Sequence, residues 1–114
     1  MHELGIVFHI IKTVDRIGEK NKLSAVSSVT LELGEVSGVV DRELTDCWNW
    51  AVKKSALMKD AKLAIEKIKA YTRCEDCGGV YETVTYGRTC PFCGGGNTFL
   101  KSGNEINIKE IEAF

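Results

Sequence analysis

The chain has 114 residues, room for one compact domain or a domain with a small satellite. Hydrophobic residues make up 44% and charged residues 27%, with one proline and 11 glycines, which argues against wholesale disorder and against collagenous or linker sequence. Fifteen Lys and Arg against 16 Asp and Glu leave a formal net charge of -1, without the basic excess that a nucleic-acid binder usually carries.

No segment is strongly basic. Residues 1–70 hold 11 basic and 10 acidic side chains, residues 71–101 hold three of each, and the tail from 102 is acidic. The longest apolar run, near Gly5–Ile11, is interrupted by His9, so no transmembrane span is expected. The Met-His-Glu opening has neither the basic start nor the cleavage site of a signal peptide. The five cysteines therefore read as cytosolic thiols before disulfides, and the location as cytoplasmic.

In chain order, residues 4–17 read as an amphipathic helix. Leu4, Val7, Phe8, Ile11 and Val14 follow helical spacing, and Ile6, Ile10 and Ile17 widen the stripe. Gly18 and Asn21 mark its exit. His9 has no acid or cysteine arranged about it and reads as non-functional. Ala25–Leu33 reads as a half-buried strand, with Val29, Leu31 and Leu33 alternating against Ser28, Thr30 and Glu32. Gly34 ends it, Gly38 continues the loop, and Asp41 is placed to cap a second helix. Leu44, Cys47, Trp48, Ala51 and Ser55 share one face of that helix. Cys47 reads as a buried, inert thiol. Trp50 lies off the stripe and reads as a partner contact or a second packing surface. Residues 61–70 suit either a strand or a helix. Glu105–Ile111 returns to a strand-like pattern.

Between these lies a stretch of different character. Residues 71–101 contain four cysteines and six of the glycines. Cys74-Glu-Asp-Cys77-Gly and Cys90-Pro-Phe-Cys93-Gly stand twelve residues apart, each pair followed by a glycine that tolerates a positive φ. Two such turns face to face make a tetrahedral four-sulfur site. That suits a structural zinc, because no coordination position stays open. Iron fits the same spacing, as in an electron carrier. Val80–Thr85 and Thr98–Lys101 read as short strands around the site. The simplest organisation is an α/β body, residues 1–70 and 102–114, into which residues 71–101 are inserted as a zinc-binding domain.

The amino terminus offers a second site. The Met1 amine, the His2 amide nitrogen and the His2 imidazole close two fused chelate rings on one ion, and Glu3 supplies a fourth ligand from its backbone or its carboxylate. Nitrogen-rich planar coordination favours Ni(II) or Cu(II). The alternative reading is an ordinary terminal dipeptide, with Glu3 favourable at a helix start through the helix dipole. No dinucleotide, P-loop or zinc-protease motif and no convincing nucleophile–base pair occurs, so the chain does not read as an enzyme. The competing function is a zinc-ribbon module that docks nucleic acid or protein.

The Met1-His2-Glu3 start, the following helix, Leu33-Gly34-Glu35-Val36-Ser37-Gly38, the paired cysteine motifs and Gly103-Asn104-Glu105-Ile106 with Ile111-Glu112 occur in one order. That order resembles the HypA family of hydrogenase nickel-incorporation proteins over essentially the whole chain. The resemblance implies an α+β fold, a small mixed β-sheet with two helices plus an inserted zinc-ribbon-like domain, and it favours a strand over 61–70. It implies Ni²⁺ as cargo held by Met1, His2 and Glu3, and structural Zn²⁺ held by Cys74, Cys77, Cys90 and Cys93. It further implies work with a GTPase nickel chaperone to load the large subunit of [NiFe]-hydrogenase. Some members also support urease, which brings urease maturation proteins in as partners; neither nucleic acid nor membrane is expected as one. Some members add an acidic residue or a further histidine to the nickel. Asp41 is the candidate here for the acid, and no histidine beyond His9 exists.

Overall fold

The computed structural model describes residues 3–114. Helix α1 spans Glu3–Asn21, strand β1 Val26–Gly34, helix α2 Asp41–Ala51 and strand β2 Lys62–Ile68. Strands β3 (Tyr71–Cys74) and β4 (Val80–Glu82), the single-turn helix α3 (Thr83–Tyr86), strand β5 (Thr98–Ser102) and strand β6 (Ile106–Ala113) follow. The strands form two three-stranded sheets, ordered β2-β1-β6 and β4-β3-β5. This is the mixed α+β architecture, with two long helices and a ribbon, that the resemblance implies. Among the described residues, no helix is long and apolar enough to cross a membrane.

The described residues group into two compact units. One runs to Glu32 and takes in Val39–Glu66 and Asn107–Phe114; the other takes Leu33–Gly38 and Lys67–Ile106.

In the β2-β1-β6 sheet, β1 buries Val29 and Leu31 on one face, as its alternation predicts. β1 and β6 are antiparallel, with Ser24 N–H donating to Phe114 O at 2.7 Å at one end. α2 connects β1 to β2, which run in the same direction: the start of β1 bonds before β2, Val26 N–H to Leu57 O, and Glu35 N–H just past β1 reaches Ile68 O at the end of β2. α1 and α2 pack on one another.

α1 turns a different edge inward than its spacing suggests. Val7, Ile10, Ile11, Val14 and Gly18 are buried, together with Glu3, while Leu4 and Phe8 remain 40% and 42% exposed. Gly18 does not end the helix; it lies under Leu57, where a Cβ would clash. The exit comes three residues later. Lys22 takes the left-handed conformation at φ 55, while Leu23 N–H bonds Gly18 O at 2.9 Å and Lys22 N–H bonds Glu19 O at 3.3 Å. That pair is a Schellman cap built on a lysine.

α2 buries Leu44, Trp48 and Ala51. Trp48 is fully buried and its indole N–H donates to Ala61 O at 3.0 Å. Cys47 is half-buried rather than sealed in the core. Asp41 is the first helical residue and not the cap. That place belongs to Val40, which is extended and has no side-chain acceptor to offer. Trp50 stands 52% exposed, edge-on to Phe8 at 6.3 Å, with Lys54 Nζ 3.8 Å above its ring.

In the second unit, β3 is central. It pairs antiparallel with β4 (Thr72 opposite Tyr81) and with β5 (Cys74 opposite Thr98), with an irregularity between Tyr71 and Thr72. The expected strand over Val80–Thr85 stops at Glu82, and the chain then makes the α3 turn. Thr83 is tied to the buried Thr72 hydroxyl at 2.7 Å, and Gly87, at φ 64, closes the turn. The buried cluster beside the cysteine loops is small: Cys74, Tyr81 and Cys90.

Candidate metal centre

Two loops build the four-cysteine cluster, and they are bonded alike. In the first, Gly78 N–H reaches Cys74 O at 2.8 Å and Cys74 N–H reaches Gly79 O at 2.9 Å. In the second, Gly94 N–H reaches Cys90 O at 2.9 Å and Cys90 N–H reaches Gly95 O at 3.0 Å. Gly78 and Gly94 both sit at φ 74, where a side chain would strain the turn. The repeated Cys-x-x-Cys-Gly-Gly run is therefore one backbone device used twice, carried by the end of β3 and the approach to β5.

The result is that Cys74, Cys77, Cys90 and Cys93 place their sulfurs within 4.8 Å of one another. The closest approaches cross between loops: Cys74 to Cys93 and Cys77 to Cys90, each 3.6 Å. All four are free thiols. A regular tetrahedron of sulfurs at the usual zinc–sulfur distance has edges of about 3.8 Å, so the spacing fits one ion at the centre. The four sulfurs form a closed donor set.

The thiols differ in how readily they ionise. Burial works to raise Cys90, but the N–H groups of Cys93 and Phe92 and the neighbouring sulfurs outweigh it and bring that thiol down to about 7. Phe92 N lies 3.4 Å from the Cys90 sulfur. Cys93 goes the other way. The Gly95 N–H lowers it, yet hydrogen bonding with Cys74 and burial prevail and push it up to about 12. Cys77 is raised too, by its contact with Cys90 and by burial, against the pull of the Gly79 N–H. A cation entering the cluster must displace the protons these thiols carry.

Met1 and His2, expected to form the terminal chelate, lie outside the described residues. Glu3 is described. The residue is only 3% exposed, and its carboxylate accepts the Val40 N–H at 3.1 Å. His9 is exposed on α1.

Two further carboxylates were not singled out by sequence reasoning. Glu35 Oε1 accepts the Ala70 N–H at 3.0 Å, and Glu105 Oε1 accepts the Gly103 N–H at 2.7 Å. Both fall in the motifs that carry the family resemblance, and both tie backbone turns. The flanking glycines are the signal: a glutamate beside a glycine-bearing turn is placed to take an amide the turn leaves over.

Residues 1–113 match the family described as HypA, hydrogenase/urease nickel incorporation, metallochaperone. A hydrogenase maturation factor HypA from Geobacter sulfurreducens is 32% identical over 112 residues, 98% of each chain. Another from Chlorobium phaeobacteroides is 34% identical over 111 residues, 97% of each. The solution structure of the nickel metallochaperone HypA from Helicobacter pylori superposes with a TM-score of 0.75 at 25% identity, covering 99% of this chain and 97% of that one. A second solution structure of a HypA protein gives a TM-score of 0.77 at 27% identity, covering 100% and 97%. The chain belongs to the HypA family of nickel metallochaperones for hydrogenase and urease nickel incorporation, and so is a maturation factor and not an enzyme.

Proposed function

We propose that the chain binds Ni(II) at its amino terminus and passes it to the large subunit of [NiFe]-hydrogenase, in the cytoplasm, together with a GTPase nickel chaperone. The observation that carries this reading is the span of the family match. It begins at residue 1 and so takes in Met1-His2-Glu3. The Met1 amine and the His2 amide and imidazole are the proposed nitrogen ligands, completed by Glu3. Residues 1–70 and 102–114 form the nickel-binding body, and residues 71–101 the zinc-binding domain.

Cys74, Cys77, Cys90 and Cys93 are assigned to a structural zinc. The all-sulfur donor set and its spacing support zinc, which when bound supplies cross-linking and no open position for chemistry. What these residues do is hold two loops together around a core too small to stand alone.

A carrier must load and then release. A terminal chelate suits both, since its arm is short and a partner's ligands can replace its own one at a time. The test is metal analysis of untagged protein, with nickel titrated into wild type and His2→Ala. One zinc per chain, retained in both, with nickel uptake lost in His2→Ala, is the expected result. Equal nickel uptake in both would overturn the terminal site.

A further inference from the structure

We infer that Glu3 is a positioning residue whose carboxylate ties the start of α1 to the N-terminus of α2, and that it is not itself a side-chain ligand to nickel. This rests on the terminal nickel site proposed above and deepens it.

The argument begins at α2. Its N-cap is Val40, extended at φ -90 and ψ 117, with no cap bond from its own side chain. Helices with a glutamate three residues past the cap commonly use it to reach back to the cap N–H. Glu43 occupies that place here, but it is exposed. The Val40 N–H goes instead to Glu3 Oε2, at 3.1 Å, from 37 residues away. α1 thus supplies half of a capping box to α2.

The setting favours keeping that bond. Glu3 as a residue is 3% exposed, and a buried acidic side chain needs partners. The amide it accepts belongs to the N-terminal end of α2, where the helix dipole attracts a carboxylate. Turning Oε2 towards a metal would abandon the Val40 N–H that it accepts. The nearer donors of the terminus are already nitrogen: the Met1 amine, the His2 amide and the His2 imidazole. The backbone of Glu3 remains available to complete the set while its side chain stays on Val40.

Function follows from the tie. Glu3 follows the proposed chelating residues directly in sequence and is anchored next to the first turn of α2, which opens with Asp41. Holding Glu3 in place beforehand removes its ordering from the entropy cost of loading.

The test compares nickel affinity, the nickel absorption spectrum and zinc content in wild type, Glu3→Ala, Glu3→Gln and His2→Ala. Glu3→Ala is expected to bind nickel about tenfold more weakly, the scale of losing one hydrogen bond to a charged group. Glu3→Gln keeps an acceptor oxygen and is expected to restore most of the affinity, with an unchanged nickel spectrum and zinc retained throughout. A Glu3→Gln that binds as weakly as Glu3→Ala with a shifted nickel spectrum would make the carboxylate a ligand and overturn the inference. So would unaltered affinity in Glu3→Ala, provided His2→Ala abolishes uptake. Undiminished uptake in His2→Ala would instead overturn the terminal site. A measurement on the wild type alone gives a second check: hydrogen exchange at the Val40 amide should stay slow when nickel is added, and acceleration on loading would mean that the carboxylate has left it.

Discussion

Gly34 and Gly103 meet backbone against backbone: a Cβ on Gly34 would overlap the Gly103 carbonyl, and one on Gly103 would overlap Ala70. The contact is sewn by hydrogen bonds, Val36 N–H to Gly103 O and Gly34 N–H to Glu105 O, each 2.8 Å. Gly103 also holds φ 111, outside the range a side chain tolerates. Gly34→Ala and Gly103→Ala should each destabilise the zinc-loaded protein by about 3 kcal/mol, since backbone on both sides leaves nothing to give way. Denaturant midpoints check this. A loss no larger than that of an exposed Gly96→Ala control would refute it.

Zinc removal should unfold the second unit and leave the first largely intact. Around the cysteine loops the second unit has only the small cluster of Cys74, Tyr81 and Cys90, whereas the first buries Trp48, Leu44, Leu31 and Met58 completely. The ion is expected to contribute on the order of 10 kcal/mol to the small unit. A chelator titration followed by near-ultraviolet circular dichroism should lose tyrosine signals from Tyr81 and Tyr86, which lie edge to face at 5.9 Å, before any change at Trp48. Simultaneous loss of both would contradict the separation.

The second unit should also show a shallow pH dependence from one ion pair. Lys69 Nζ lies 2.6 Å from Glu82 Oε1. The hydrogen bond from Lys69 lowers Glu82, and the same contact raises Lys69. A lowered carboxylate stabilises the fold above its unfolded value, and the benefit fades as pH falls through the lower folded value. The raised lysine contributes below its unfolded value and loses its effect as pH rises through the higher folded one. Both groups are well exposed, so the effect is small and screened by salt. Glu82→Gln should flatten the acid limb, read from thermal melts across mildly acidic pH.

Trp48→Phe should cost about 2–3 kcal/mol, from the cavity left by the smaller ring and from the Ala61 carbonyl left without its donor. Zinc content should stay at the wild-type value, because Trp48 belongs to the other unit. Urea unfolding monitored alongside zinc retention separates the two effects.

Nickel binding should weaken as pH falls, because the Met1 amine and the His2 imidazole must shed protons with ordinary values of about 8 and about 6.5. Any residue added before Met1 should weaken it as well, by converting the amine into an amide. Calorimetric titrations in buffers of different ionisation enthalpy would count the protons released. Uptake that ignores both pH and the extension would rule out the amine.

Much of this architecture was legible residue by residue. The alternation in β1 was clean because one face is buried and one is not. The cysteine pairs were clear because their chemistry demands that spacing. The inner edge of α1 was misjudged at Leu4 and Phe8. Eight apolar residues within residues 4–17 form a band wider than the contact surface, and only the packing of α2 decides which edge is covered. Asp41 reads as a cap from its type, yet the capping group comes from Glu3, a distant residue that no local pattern reveals. The turn after Glu82 was hidden for a related reason: Thr83 suits a strand, and its bond to Thr72 across the hairpin overrides that preference. The terminal nickel ligands were suggested by residue order, and Met1 and His2 fall outside the described residues.

The twinned cysteine loops have one more consequence. Each contributes an inner sulfur and an outer one: Cys74 and Cys90 are closed off from solvent, while Cys77 and Cys93 are exposed. A competing chelator or an oxidant therefore meets one thiol from each loop first. Dismantling begins at both halves together, and the inner pair is uncovered only afterwards. Alkylation should follow the same sequence, with Cys77 and Cys93 tagged ahead of Cys74 and Cys90. That order makes the outer pair a natural gauge of whether the site is filled.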